Sequence, residues 1–146
     1  MKILLTGASG FIGQHLLPRL EQIGEVCCLK NDLTNHIDIQ VEVKQANPDI
    51  VIHLAARTEV QKSFYEQISF SEVNYVGTVN LIETCRQLRK MPYFVFASTM
   101  EVYGWQPISD EVKKTGTYTT KVAFDEHTQP NPNAPYAVAK YGCEKY

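Results

Sequence analysis

The chain has 146 residues, 44% hydrophobic and 21% charged, with a net charge of −2. That length suffices for one domain with a core that buries roughly 68–70% of the chain's surface, and the near-neutral balance argues against a nucleic-acid partner. No apolar run is long enough to span a bilayer, and Met1-Lys2-Ile3-Leu4-Leu5 leads to no cleavage-site pattern, so neither a membrane segment nor a signal peptide is expected.

Lys2–Thr6 reads as a buried strand. It runs into Thr6-Gly7-Ala8-Ser9-Gly10-Phe11-Ile12-Gly13, and a helix is expected over Gly10–Ile23, with Pro18 inside it to kink it or cost about 3 kcal/mol. Glycines at such a junction allow a tight turn, close approach of backbone to a pyrophosphate, and close packing of helix on strand, with the helix N-terminus holding the negative charge. The spacing of three and three differs from the two and three of the commonest dinucleotide fingerprint, and read alone it also fits a plain strand–helix turn.

Glu25–Lys30 is expected to be the second strand. A carboxylate at its end would bond the ribose 2′-hydroxyl of NAD. Lys30 and then Asn31 stand there instead; Lys30 suits the 2′-phosphate of NADP or a plain surface position, and Asp32 lies near enough to take the ribose role. Ile37, Ile39, Val41 and Val43 alternate with polar residues, which is the period of a strand. A parallel βαβ order requires a helical crossover at that point, and a helix is the expectation. Ile50–Ala55 is a third strand, introduced by Asn47-Pro48-Asp49. Phe70–Arg89 reads as one long helix with Val73, Val76, Leu81, Cys85 and Leu88 as its apolar positions, and Tyr93–Ser98 is a fourth clear strand opened by Pro92.

The stretch Gly104–Ala134 is polar and rich in Pro, Asn, Thr and Lys, which suits a functional loop or partial disorder. Apolar strands with helices between them give the fold class: α/β, a doubly wound, Rossmann-like parallel sheet covered on both faces. About five strands are expected, a short one lying near Val102 or beyond. Cys27, Cys28, Cys85 and Cys143 suit free thiols and a cytoplasmic setting. His15, His36, His53 and His127 lack metal-ligand spacing, so no metal is expected, and His53 reads as a satisfied core or edge residue. Tyr136 and Lys140 stand four residues apart, which puts phenol and ammonium on one helix face. A cation there would lower the phenol pKa from about 10 toward neutrality and make it an acid or base. Alone, the pair fits equally a half-buried tyrosine and a solvated lysine.

Five segments occur in order: the three glycines, Leu54-Ala55-Ala56 after a strand, Asn74-Tyr75-Val76-Gly77-Thr78, Ser98-Thr99-Met100-Glu101-Val102-Tyr103-Gly104, and Tyr136 to Lys140. Together they resemble the extended short-chain dehydrogenase/reductase family, in its NAD-dependent epimerase/dehydratase branch acting on nucleotide-sugars, across essentially the whole chain. The resemblance implies that Tyr136 is the acid/base and Lys140 its pKa-lowering partner, which also bonds the nicotinamide ribose. Thr99 would hold the reacting sugar oxygen, though it also fits a cap of the following turn. Gly7, Gly10 and Gly13, with Phe11 and Ile12 between them, would carry the pyrophosphate. Leu54, Ala55 and Ala56 would pass close to the cofactor, NAD or NADP, with Lys30 as above and Asp32 and Leu33 meeting the adenine. Asn74 would lie under the nicotinamide half or, alternatively, pin two helices together.

Two departures from the family pattern stand out. The dehydratases often read Thr-Asp-Glu where this chain has Thr99-Met100-Glu101, which leaves Glu101 as the one acidic residue there. Many UDP-glucose 4-epimerases carry a lysine where this chain has Thr58. The function implied is nucleotide-sugar epimerisation or dehydration by hydride transfer at a sugar carbon. The alternatives are an NADPH-dependent keto-sugar or carbonyl reductase of the same family and a non-catalytic dinucleotide-binding short form. The resemblance also implies a whole chain about twice this length. Residues 1–146 would then be an incomplete NAD(P)-binding Rossmann domain without its substrate domain, a homodimer being expected of the full-length form and doubtful for this chain.

Overall fold

The computed structural model describes residues 1–104 and 124–146. β1 (Lys2–Thr6), α1 (Phe11–Leu20), β2 (Glu25–Cys28), α2 (His36–Ala46) and β3 (Ile50–His53) come first. The short helices α3 (Val60–Ser63) and α4 (Gln67–Ser71) follow, then a π-helical turn (Glu72–Val76) and α5 (Gly77–Arg86). β4 (Tyr93–Phe96), a 3-10 turn (Met100–Tyr103) and α6 (Pro135–Lys145) complete the order.

The four strands of the described residues form one parallel sheet in the order β2-β1-β3-β4. Ile3 lies opposite Val26 on one side and Ile50 on the other. The chain therefore steps outward from β1 to β2 and then crosses back to β3. That reversal opens a crevice beyond the C-terminal ends of β1 and β3, where doubly wound sheets bind ligands. Alternating side chains of β1 feed two cores. Leu4 packs with Leu33, Ile39, Val43, Val51, Leu81 and Cys85 on one face, and Ile3 and Leu5 pack with Leu20 on the other.

The ambiguous alternation resolves as the helix α2. Ile39 and Val43, four residues apart, are buried, while Ile37 and Val41 face solvent. Asn35 caps its start by accepting from the Asp38 N–H, and Asn47 ends it in the left-handed region at φ 41°. The expected continuous α-helix over 70–89 is instead interrupted by the π-helical turn and ends at Arg86. Phe70, Asn74, Thr78, Leu81 and Cys85 form the buried face across it, and Val76 is exposed. The helix expected to reach Ile23 ends at Leu20, with Pro18 in its last turn.

β2, β3 and β4 each stop two residues before their expected ends, because the chain leaves the ladder at the crevice. Single bonds such as Leu29 N–H to the Leu5 carbonyl and Ala97 N–H to the His53 carbonyl continue the pairing one residue further. The segment around Val102 is a 3-10 turn rather than a fifth strand. Of the polar stretch 104–134, positions 105–123 lie outside the described residues. No helix among the described residues is long and apolar enough to cross a membrane.

Candidate active site

A cleft of about 680 Å3 runs along the C-terminal edge of the sheet. The turn between β1 and α1 forms part of its wall. Gly7 adopts φ +72°, and a Cβ there would come within 2.7 Å of the Ala55 nitrogen; a Cβ on Gly13 would lie 2.2 Å from the Gly7 carbonyl oxygen. The turn thus needs bare backbone in two places, to pass under the loop after β3 and to seat α1. No side chain caps the start of α1. Its first N–H groups, on Phe11, Ile12 and Gly13, stand at a cleft wall with the positive end of the helix dipole behind them, a seat that fits a pyrophosphate.

The loop after β3 forms the floor, with Leu54, Ala55, Ala56 and Arg57 all lining the cleft. A chain of hydrogen bonds holds this loop. The Ala55 N–H donates to the Thr6 hydroxyl (3.0 Å), and that hydroxyl also bonds His53 Nδ1 (2.6 Å). His53 Nε2 then carries the proton and donates to the Thr78 hydroxyl (2.9 Å), which donates to the Asn74 carbonyl (2.7 Å). The Asn74 side chain closes the circuit on Arg57: its Oδ1 accepts from the Arg57 N–H (2.8 Å) and its Nδ2 donates to the Arg57 carbonyl (2.9 Å). Asn74 is therefore spent as a clamp on this loop and does not itself line the cleft.

This network fixes His53 as the neutral tautomer. It is fully buried, and burial first, then the Lys140 charge, pull its pKa down to about 3. The unfolded chain, with a histidine near pKa 6.5, binds the extra proton throughout the interval between the two values. Folding stability is therefore complete above about pH 6.5 and falls as pH drops toward 3, by up to about 1.4 kcal/mol per pH unit. Urea unfolding at pH 7.5 and pH 5 should differ by about 2 kcal/mol on this account. His53→Gln should flatten that slope; an equal slope in the variant would remove His53 as its source.

α6 and the end of β4 form another part of the cleft wall. Tyr136 and Lys140 both line the cleft and are buried, and Ala97 and Ser98 lie beside them. Lys140 Nζ donates to the Ala97 carbonyl (2.8 Å) and sits 4.5 Å from the centre of the Phe96 ring. Burial pulls its pKa down to about 8. The expectation that Lys140 would lower the Tyr136 pKa does not hold in this arrangement, because the ammonium is turned to Ala97. Burial pushes the Tyr136 phenol up, a hydrogen bond with Thr99 opposes the rise, and the Glu101 charge adds to it. Thr99 meets one of its sequence readings, accepting from the Glu101 N–H (3.2 Å) and so capping the 3-10 turn, and it also bonds the phenol. Glu101 acts on the phenol through its charge and does not line the cleft.

At the β2 end, Asp32 and Leu33 line the cleft as expected, and so does Asn31, which sequence reasoning passed over. Asp32 is held below the usual carboxylate range by the Thr34 N–H and then the Thr34 hydroxyl, both at 2.8 Å. Lys30 lies outside the cleft and lines a hollow between β2 and α2. Ser98 is a second residue that sequence reasoning passed over; it lines the cleft and bonds the Glu144 carboxylate. Its place at the end of β4, level with the turns after β1 and β3, is the signal that would have found it.

The sequence model of the NAD dependent epimerase/dehydratase family matches residues 3–146. The dTDP-D-glucose 4,6-dehydratase of Dictyostelium discoideum is 34% identical, over 98% of this chain and 38% of its own length. The UDP-glucose 4-epimerase of Thermus thermophilus, solved as a complex with NAD, superposes with a TM-score of 0.83 and 29% identity, over 100% of this chain and 49% of its own. The dTDP-4-dehydrorhamnose reductase of Bacillus anthracis str. Ames, solved in complex with NADP, gives 0.80 with 26% identity, over 99% and 49% respectively. The chain thus spans less than half the length of each of these three proteins.

Proposed function

The chain belongs to the NAD dependent epimerase/dehydratase family, and we propose that it is the dinucleotide-binding part of a nucleotide-sugar epimerase or dehydratase in which Tyr136 is the acid/base. One observation carries this reading: a single cleft is lined both by the glycine cradle and by Tyr136 with Lys140. When bound, NAD or NADP would supply the hydride acceptor for a sugar carbon. The chain's own residues do the rest. Gly7, Gly10 and Gly13 with the amides of α1 hold the diphosphate, and Leu54, Ala55 and Ala56 form the floor against which the dinucleotide lies.

Tyr136 takes the proton from the sugar hydroxyl, and Thr99, already bonded to the phenol, holds the oxygen as charge develops on it. A proton leaving Tyr136 creates a phenolate one helical turn from Lys140, whose ammonium would have to turn from the Ala97 carbonyl toward the phenol to favour that state. Glu101 is the one acidic residue of its segment and acts on the phenol by its charge from outside the cleft lining, so to serve as second acid/base for an elimination its carboxylate would have to turn into the cleft. Residues 1–146 supply the dinucleotide half of such an enzyme, and the groups that grip the sugar and its nucleotide are to be sought outside them.

Calorimetric titration with NAD+ and NADP+ tests the reading at its base. Binding of either is expected, and saturation at about a hundred times Kd should raise unfolding stability by about 2.7 kcal/mol. dTDP-glucose and UDP-glucose, named for two of the relatives, are the first sugars to offer to the whole enzyme. Absence of dinucleotide binding would overturn the reading, and binding without turnover on any nucleotide-sugar would leave the non-catalytic form.

A further inference from the structure

The corner between β2 and α2 carries a finer inference, which rests on the dinucleotide reading of the cleft. Glu42, on α2, reaches back to the end of β2. Its Oε1 accepts from the Lys30 N–H at 2.8 Å, and its Oε2 accepts from the Asn31 N–H at 3.1 Å and from the Asn31 side-chain amide at 2.9 Å. Two successive backbone N–H groups and one side-chain amide thus converge on a single carboxylate. Such a concave set of donors is an anion seat, and here the protein fills it with its own anion.

The seat adjoins the cleft. Asn31 and Asp32 line the cleft where β2 ends, the position at which a doubly wound sheet meets the adenosine ribose. Lys30, the cation that the sequence offers to a 2′-phosphate, lines the outer hollow instead, together with Asp38 and Glu42. Among the residues lining the cleft and the hollow at this corner, three carboxylates, Glu42, Asp32 and Asp38, therefore face one ammonium.

We propose that Glu42 is a specificity-determining residue that commits the cleft to NAD and rejects the 2′-phosphate of NADP. A 2′-phosphate needs N–H donors and positive charge. The donors nearest its position are taken, and the group that takes them is a fixed negative charge. A 2′-hydroxyl has no such need. With its Nδ2 committed to Glu42, Asn31 keeps Oδ1 as its side-chain acceptor, which suits a hydroxyl donor and repels a phosphate. Glu42 touches no ligand itself; it acts through Asn31 and through its charge.

The test is the ratio of NAD+ to NADP+ affinity, measured by calorimetry on the protein and on Glu42→Gln. The protein should bind NAD+ at least about tenfold more tightly than NADP+, and Glu42→Gln should shrink that ratio by about tenfold or more, while Glu42→Asp, which keeps the charge, should preserve it. A corner that is merely loosened weakens both dinucleotides alike and leaves the ratio in place. A preference of the unaltered protein for NADP+, or an unchanged ratio in Glu42→Gln, would overturn the proposal. Should Glu42→Gln fail to fold, the unaltered protein still answers. Raising salt from roughly 20 to 500 mM should narrow the ratio by screening the repulsion, and a ratio that is indifferent to salt or widens with it overturns the proposal. Binding of neither dinucleotide would overturn the dinucleotide reading as well, which separates the two failures.

Discussion

Tyr136→Phe is expected to cut turnover of the whole enzyme on a nucleotide-sugar by about 10²- to 10⁴-fold while leaving dinucleotide affinity within about threefold, the range for loss of a positioned acid/base. The substitution removes one hydroxyl from a buried ring and nothing else. The ring keeps its place on α6, and Thr99 keeps its second role, accepting from the Glu101 N–H. The structural cost is one hydrogen bond, about 1 kcal/mol. The chemical cost is the whole proton transfer, because no other described residue combines a titratable hydroxyl, a Thr99 bond and a place in the cleft wall beside Lys140. Separate measurement of kcat and of NAD+ dissociation decides it. Near-normal kcat in the variant would remove Tyr136 from the chemistry, and a parallel loss of NAD+ affinity would recast it as a binding residue.

The parts of this fold that are legible in the sequence are those where one local rule acts alone. β1 is a short apolar run ended by a glycine turn, and its expected and observed limits coincide. α2 is legible only through topology. Its residues alternate as a strand would, and the burial of Ile39 with Val43 is a helix pattern hidden inside that alternation, since every fourth residue is also every second. The π-helical turn leaves no signal, because register depends on how Asn74 is used. With both ends of its amide spent on Arg57 and its carbonyl on Thr78, Asn74 faces inward from within that turn. The site follows the same division. Gly7, Gly13, Tyr136 and Lys140 are legible because their spacing is local, whereas the Lys140 bond to Ala97 spans 43 positions and the Glu42 bonds to Lys30 and Asn31 span 12 and 11. What decides those contacts is which strand end stands beside which helix.

The three glycines of the turn should respond very differently to alanine, and that difference tests the cradle without any ligand. At Gly13 the new methyl would lie 2.2 Å from the Gly7 carbonyl oxygen and 2.7 Å from both the Cα and the carbonyl oxygen of Ala8. All three are backbone atoms, so no side chain can swing aside, and α1 must lift off the turn that seats it. Overpacking of this kind costs about 1–3 kcal/mol or more. The amides of Phe11 and Ile12 would move with the helix, so NAD+ affinity should fall by roughly a hundredfold, the equivalent of about 2.8 kcal/mol. At Gly7 the methyl meets the Ala55 nitrogen at 2.7 Å and must also adopt φ +72°, which adds about 1–2 kcal/mol. At Gly10 the nearest atom is the Gly7 carbonyl oxygen at 3.3 Å, the backbone is extended, and α1 starts one residue later, so a shift of a few tenths of an ångström accommodates the methyl. Thermal unfolding of the three variants should therefore rank Gly10→Ala far closer to the unaltered protein than Gly13→Ala or Gly7→Ala. A Gly10→Ala variant as unstable as Gly13→Ala would mean that α1 is not seated on the Gly7 carbonyl in the way the pyrophosphate site requires.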